Sequence, residues 1–197
     1  MIDNSGMTAL HHASTEGHSE LIKALLDAGA NIRARTRHKT YTPLLTAAQF
    51  GRSTAVQVLL AHGADVNDLN AEKWSALVEA ANHNYVEIAR IVLTHGANVD
   101  VPSENFEPDR TRVTAVTPLM RAAGNGHLLL LGILLDYGAD VALKDSRGYT
   151  ALAFAVKEMQ ENTARALLER GADIKGLSAL GERSNWLSRK LEEEFSV

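Results

Sequence analysis

Residues 145–177 read DSRGYTALAFAVKEMQENTARALLERGADIKGL and end a series of similar segments. In this stretch a hydroxyl residue, Thr150, stands 21 positions before the pair Gly171-Ala172. The same spacing occurs in four other segments, where a hydroxyl residue precedes a Gly-Ala pair by 21 positions. These hydroxyl residues are Thr8, Thr42, Ser75 and Thr117, and their pairs begin at Gly29, Gly63, Gly96 and Gly138, respectively. Two markers that recur at one internal spacing indicate a repeat protein.

The markers divide the chain into five units of 33 residues, and we predict repeats at 3–35, 37–69, 70–102, 112–144 and 145–177. A nine-residue insertion, 103–111, lengthens the connection before the fourth hydroxyl. Residues 178–197 are predicted to form a C-terminal cap, a helix after Ser184 whose apolar side, with Leu187, Leu191 and Phe195, covers the last repeat. The whole chain, 1–197, is predicted to be a single repeat domain. Either the first repeat covers its own outer face with polar residues, or the chain is cut from a longer array.

Each unit is predicted to form two short antiparallel helices. The hydroxyl residue is an N-cap for the first helix, and Pro43 and Pro118 follow it where a missing N–H costs nothing. Paired apolar residues such as Leu25-Leu26 mark the second helix, and the Gly of the Gly-Ala pair ends it in a left-handed conformation. The segment from that Gly to the next hydroxyl is predicted to be a hairpin-like finger. Each finger is numbered by the repeat whose hydroxyl it precedes, so the segment before Thr8 is the first finger and the segment before Thr42 is the second.

At these positions the chain resembles the ankyrin repeat. The residues that carry the resemblance are Gly6-x-Thr8-Ala9-Leu10-His11, Thr42-Pro43-Leu44 and Thr150-Ala151-Leu152. The resemblance implies an all-α fold, an ankyrin-repeat solenoid of stacked helix-turn-helix units with β-hairpin-like fingers. It also implies a noncatalytic protein–protein interaction module that binds its partner in a concave groove. The third repeat departs most from the pattern, with Ser75-Ala76 in place of Thr-Pro.

Composition argues against several other classes of protein. The net charge of −4 provides no basic field for nucleic acid, and the chain has no Cys for a disulfide or thiolate metal site. No apolar run approaches the ~20 residues of a membrane span, and no signal peptide is recognisable, so we expect an intracellular protein, cytoplasmic or nuclear. Five of the eight His residues fall at recurring repeat positions, so we expect no metal, no cofactor and no catalytic residue.

Partner-binding residues are sought in the positions that vary while the frame repeats. The residue before each hydroxyl lies on the finger, which faces the groove in this family, and large apolar side chains are concentrated there: Met7, Tyr41, Trp74, Val116 and Tyr149. Aromatic residues are common anchors of protein interfaces, so Met7, Tyr41, Trp74 and Tyr149 are predicted to bind the partner. The alternative is that they pack finger against finger as part of the core.

Further candidates lie on the side of the first helix that is predicted to be exposed. These partner-binding candidates are Phe50, Glu79, Arg121 and Phe154. The second finger is basic, and Arg35, Arg37 and Lys39 are predicted either to face an acidic partner segment or to form a solvated tip. The chain is expected to be monomeric by itself.

Two other readings remain open at this point. The chain also fits a targeting or regulatory domain of a larger enzyme or channel whose active part lies elsewhere. An enzyme in its own right is a further alternative, although no catalytic motif supports it. In addition, Leu59 and Asp65-Val66-Asn67 resemble sites at which ankyrin-repeat proteins are hydroxylated on Asn by an oxygen-dependent hydroxylase. Asn67 is therefore a possible modification site or, alternatively, a turn residue.

Overall fold

The computed structural model describes residues 2–106, 111–183 and 186–195. The predicted N-cap Ser184 lies outside the described residues, as do residues 107–110 of the predicted insertion. The chain divides into two compact units, Met1–Asn98 and Val99–Val197. The single domain and the repeat boundaries predicted above stay predictions, whereas the mostly helical architecture is confirmed.

The first unit consists of three helix pairs. They are α1 (Ala9–Glu16) and α2 (Ser19–Asp27), α3 (Pro43–Gln49) and α4 (Ser53–Ala61), and α5 (Ala76–His83) and α6 (Val86–Thr94). Within this unit α3 packs between α1 and α5, and α4 packs between α2 and α6. The first helices therefore form one layer and the second helices another, as stacked helix-turn-helix repeats require.

The second unit contains a short hairpin, two helix pairs and a C-terminal segment. Its elements are β1 (Ser103–Phe106), β2 (Arg112–Val116), α7 (Pro118–Gly124), α8 (Leu128–Asp136), α9 (Ala151–Lys157), α10 (Glu161–Glu169), a 3₁₀ helix (Ile174–Arg183) and α11 (Trp186–Phe195). The strands pair antiparallel, with Ser103 opposite Val116 and Asn105 opposite Val113. The start of the predicted insertion is thus a strand of a true β-hairpin finger.

The predicted N-caps are confirmed in all five repeats. Each hydroxyl oxygen accepts a hydrogen bond of 3.2–3.4 Å from the backbone N–H three residues later, and the five capping residues are Thr8, Thr42, Ser75, Thr117 and Thr150. The Gly residues that end the second helices have φ between +82° and +89°, which favours Gly over any residue with a Cβ. Local chemistry therefore fixes where each helix pair begins and ends.

Leucine and alanine positions that recur from repeat to repeat form the core. Leu10, Leu44 and Leu77 are at most 1% exposed in the first unit, and Leu119 and Leu152 are fully buried in the second. Small residues at the adjacent positions, such as Ala47 and Ala80, are also fully buried and allow neighbouring helices to approach closely. The packing thus repeats with the sequence.

The C-terminal segment agrees with the sequence only in part. The predicted helix is present as α11, and Leu187 and Leu191 are buried, but Phe195 is 37% exposed and not part of the core. Ion pairs at 2.8 Å, Lys190 with Glu161 and Arg165 with Glu194, join α11 to α10. The 3₁₀ helix before α11 begins at the end of the fifth predicted repeat and extends beyond it, and the sequence did not predict it.

A buried histidine links the first finger to the second. His11 is fully buried, its Nδ1 accepts from the Thr8 backbone N–H at 3.2 Å, and its Nε2 lies 3.0 Å from the Tyr41 carbonyl oxygen. Because Nδ1 accepts, the neutral ring carries its proton on Nε2 and donates it to that carbonyl. Burial lowers the pKa of His11 below its ordinary 6.5, since desolvation disfavours the charged ring.

We therefore expect the first unit to lose stability on acidification. The unfolded chain binds a proton at His11 near pH 6.5, whereas in the folded chain the ring stays neutral to a lower pH. The stabilisation that the neutral, buried ring provides is therefore complete above pH 6.5 and is lost as the pH falls toward the lower folded pKa. Urea unfolding between pH 7.5 and 5 should show a steeper loss for the natural protein than for His11→Gln. Equal slopes for the two proteins would contradict a buried, neutral His11.

Candidate functional site

An apolar cleft lies in the first unit, between the first two fingers and the ends of helices α1 and α3. Its volume is about 460 Å³, and its apolar walls include Met7, Tyr41 and Phe50. Met7 is half-buried, and Phe50, at the end of α3, is 46% exposed. The structure therefore brings together three of the residues that the sequence singled out.

The polar residues of the cleft differ in whether their side chains are already engaged. The hydroxyls of Thr46 and Thr15 donate to the backbone carbonyls of Thr42 at 2.9 Å and His11 at 3.1 Å. Among the described residues, by contrast, no side-chain hydrogen bond engages the amide of Gln49. Gln49 is half-buried, so it offers a free donor and a free acceptor to whatever enters the cleft.

Of the remaining polar lining residues, His12 lies on α1 and the others belong to the fingers: Ser5, Thr36, His38 and Lys39. Sequence reasoning had not assigned Ser5 or Thr36 to the site. The repeat period was the available signal, because it places Thr36 on the same finger as Tyr41 and Ser5 on the preceding one. Beside the cleft, the Ser5 hydroxyl donates to Asp3, and this hydrogen bond lowers the pKa of the Asp3 carboxyl to about 2.

Tyr41 and Glu79 form a buried pair within the first unit. The Tyr41 hydroxyl donates to Glu79 Oε1 at 2.6 Å, and Tyr41 and Glu79 are 7% and 1% exposed. Burial raises the pKa of Tyr41, and the neighbouring Glu79 carboxylate raises it further. On the other side, His83 Nε2 lies 3.7 Å from Glu79 Oε2. The exposure predicted for Glu79 is therefore wrong, because α5 turns this carboxylate toward the tyrosine of the preceding finger.

Trp74 occupies the same column on the third finger and is half-buried. Asn70 shapes that finger, since its Oδ1 accepts from the backbone N–H groups of Glu72 and Trp74, both at 2.9 Å. A third hydrogen bond, from the Asn70 N–H to the Trp74 carbonyl at 3.0 Å, closes the turn. The finger thus fixes the backbone of Trp74 by hydrogen bonds, while the residue as a whole is half-buried.

In the second unit, Arg121 is buried beneath the hairpin. Its Nη2 donates to the Ser103 hydroxyl at 3.1 Å and to the Glu104 carbonyl at 3.0 Å, and only 7% of the residue is exposed. Arg112 on β2 pairs with the Glu104 carboxylate through Nε at 2.9 Å. The exposure predicted for Arg121 is therefore wrong, because the finger insertion covers it.

Tyr149 and Phe154 pack together in the second unit. Their ring centroids are 6.3 Å apart in an edge-to-face arrangement, and the Arg147 guanidinium lies 4.5 Å from the Tyr149 centroid. Asp145 accepts from Arg147 Nη2 at 2.7 Å and keeps this cation in place. Tyr149 is 5% exposed whereas Phe154 is half-buried, so packing within the finger, the alternative considered above, describes Tyr149 well.

The basic finger is largely occupied by contacts inside the first unit. Arg35 donates to Asp68 and to the Leu69 carbonyl, both at 2.8 Å, and Lys39 lies 3.4 Å from Glu72. Burial raises the pKa of Asp68, and Arg35 partly offsets that rise. Arg37 Nη1 donates to the Asn4 carbonyl at 3.2 Å. An acidic partner segment facing Arg35, Arg37 and Lys39 stays a prediction.

Asn67 bridges two neighbouring fingers of the first unit. Its Nδ2 donates to the Gly96 carbonyl at 3.3 Å, and its Oδ1 accepts from the Asn98 N–H at 2.9 Å. The residue is exposed, and its own N–H bonds to Asp65 Oδ1 at 2.9 Å. These contacts give Asn67 a structural role in the turn, and its modification stays a prediction.

The described residues contain neither a membrane-spanning helix nor a cluster of metal-binding side chains. None of the described helices is long and apolar enough to cross a membrane. Within the same residues, no group of three or more His, Asp or Glu is placed to hold a metal ion.

Comparison with known protein families gives matches along most of the chain. The family model described as ankyrin repeats (3 copies) matches residues 33–103 and 104–176, and the model for the single ankyrin repeat matches 5–37.

Similar proteins include two much longer curated relatives. The glycerophosphocholine phosphodiesterase gde1 of Schizosaccharomyces pombe is 37% identical over 101 residues, and the ankyrin repeat and KH domain-containing protein mask-1 of Caenorhabditis elegans is 34% identical over 171 residues. These matches cover 51% and 86% of this chain but only 9% and 6% of the relatives.

A solved structure shows the same fold. The crystal structure of the human ASB11 ankyrin repeat domain superposes with a TM-score of 0.79 and 21% sequence identity. The superposition covers 97% of this chain and 85% of that chain.

Proposed function

Because the chain belongs to the ankyrin-repeat family, whose repeats serve as protein–protein interaction modules, we propose that it binds a protein or peptide partner on its finger-and-helix surface without catalysing a reaction. The observation that carries the proposal is the apolar cleft of the first unit, with Met7, Tyr41 and Phe50 in its walls. A concave, mostly apolar site with a few polar groups is a common form of binding site.

The predicted partner-binding residues divide into two roles under this proposal. Phe50, Met7, Trp74 and Phe154 have accessible side-chain area and contact the partner. The four others are buried and hold these side chains or their fingers in place: Tyr41, Glu79, Arg121 and Tyr149. Rigid fingers favour affinity, since little of the module must become ordered when the partner binds.

A second candidate is that the chain is the targeting or regulatory part of a larger enzyme or channel. The observation that favours it is the match to the phosphodiesterase gde1, because only 9% of that longer protein resembles this chain. Under either candidate this finger-and-helix surface binds a protein, in the cytoplasm or the nucleus. An acidic partner segment near Arg35, Arg37 and Lys39 and hydroxylation of Asn67 remain parts of the proposal to be tested.

We expect Trp74→Ala and Phe50→Ala each to weaken partner binding by about tenfold or more, because a well-packed aromatic anchor contributes a large share of interface energy. The melting temperature should change little for Phe50→Ala, whose ring is 46% exposed. The measurement is affinity capture with mass spectrometry to identify the partner, followed by calorimetry with the purified partner.

The control for these variants is Leu129→Ala, a smaller truncation of an apolar side chain at a 64% exposed position of α8. This variant should bind as the natural protein does. If Trp74→Ala unfolds the protein and leaves residual affinity unchanged, Trp74 belongs to the core, and the finger column is a packing feature.

A further inference from the structure

The cleft of the first unit has the dimensions of a site for one large side chain and its adjoining backbone. Its volume of about 460 Å³ lies toward the small end of ligand pockets, which span about 300–1,000 Å³. Met7 and Phe50 supply accessible apolar surface on its walls. A flat protein surface cannot enter such a space, whereas one aromatic or long aliphatic side chain can.

Gln49 makes the cleft suited to an extended peptide. Its amide has no side-chain partner among the described residues, although the residue is half-buried in the lining. A primary amide offers N–H donors and a carbonyl acceptor side by side, which match the C=O and N–H of one residue in an extended chain. Thr15 and Thr46 cannot compete for this role, because their hydroxyls already donate to backbone carbonyls.

The charges at the cleft favour an anionic neighbour for that side chain. His12, His38 and Lys39 line it, and none of the lining residues within the described part of the chain is acidic. The nearby acids are engaged: Asp3 contacts His12 at 3.0 Å, and Glu72 contacts Lys39 at 3.4 Å. In the ion pair of Lys39 with Glu72, the lysine side chain is 59% exposed. A carboxylate of a partner can therefore take the place of Glu72 at little cost in free energy.

We propose that this cleft binds one bulky apolar side chain of an extended peptide segment, with carboxylates next to it that pair with Lys39 and the rim histidines. This inference rests on the proposed function and specifies the chemistry of the partner. The bulky side chain packs between Met7 and Phe50, and Gln49 pairs with the backbone of the residue that carries it.

The test uses the full chain and three blocked synthetic pentapeptides, followed by two-dimensional NMR. The first peptide has a central tryptophan between two aspartates, the second has alanine in place of tryptophan, and the third has lysines in place of aspartates. We expect the first peptide to shift the amide resonances of Gln49 and Phe50. Replacing tryptophan should weaken binding by about tenfold or more, and replacing the aspartates by about threefold or more at low salt.

Two charge reversals supply a matched pair of variants. Lys39→Glu should weaken binding of the aspartate peptide by about threefold, whereas Arg33→Glu, an equal charge change on the same finger but outside the cleft, should change it little. The proposal is overturned if no peptide binds, if the shifts lie away from the cleft, or if the aspartate and lysine peptides bind equally well.

These outcomes are separable from those of the proposed function. If no pentapeptide binds but Phe50→Ala still abolishes capture of the natural partner, the assigned occupant is wrong and the binding surface stands. If the aspartate peptide binds at Gln49 while the natural partner is captured equally by Phe50→Ala, the cleft has the inferred chemistry but the proposed interaction surface is wrong.

Discussion

Replacing Glu79 by alanine should destabilise the first unit by about 2–3 kcal/mol, because it leaves the buried Tyr41 hydroxyl without an acceptor and creates a cavity. Glu79→Gln should cost less, since its amide oxygen still accepts from that hydroxyl. The measurement is urea unfolding followed by the fluorescence of Trp74. The Trp186→Phe background is required, because the chain has two tryptophans and Trp186 lies in the second unit.

The control for Glu79→Ala is Glu87→Ala on the neighbouring helix α6. Glu87 is exposed, so its removal takes away the same charge but should change the free energy of unfolding by less than about 0.5 kcal/mol. A double-mutant cycle with Tyr41→Phe then isolates the Tyr41–Glu79 interaction. Additive effects of the two substitutions would contradict the coupling that the 2.6 Å contact implies.

Replacing Arg121 by alanine should destabilise the second unit by about 2–3 kcal/mol, because the hydrogen bonds of a buried guanidinium to Ser103 and Glu104 are lost. The loss should be concentrated at the hairpin, since those bonds join α7 to Ser103 and Glu104 on β1. Amide hydrogen exchange in β1 and β2 should accelerate by about tenfold or more, measured by NMR. Arg121→Lys should fall in between, because an ammonium cannot reproduce the fork of the guanidinium.

Arg170→Ala is the control in the same unit. Arg170 pairs with Asp136 at 3.0 Å, but both side chains are about half exposed, so the substitution should cost less than about 0.5 kcal/mol. If Arg121→Ala instead leaves exchange at the hairpin unchanged and removes partner binding, Arg121 is a contact residue, as the sequence suggested, and not a support for the finger.

The sequence determined the repeating frame because every unit faces the same packing problem. A hydroxyl residue must cap each first helix, and a residue that tolerates positive φ must end each second helix, so Thr8 and Gly29 have counterparts in all five units. These requirements are local, acting over a few residues along the chain. Because these requirements recur in five units, the residues that meet them can be distinguished from the residues that vary between units. Helix pairs, caps and the leucine core could therefore be predicted.

Only the tertiary structure decided which members of a variable column are accessible. Tyr41 and Trp74 occupy equivalent positions in neighbouring repeats. Tyr41 is buried, and its hydroxyl donates a hydrogen bond to Glu79, 38 residues further along the chain, whereas Trp74 remains half-buried. Arg121 likewise faces inward because the inserted hairpin covers it. Exposure at these positions depends on the size and polarity of side chains in the neighbouring repeat, and spacing within one repeat carries no information about those side chains.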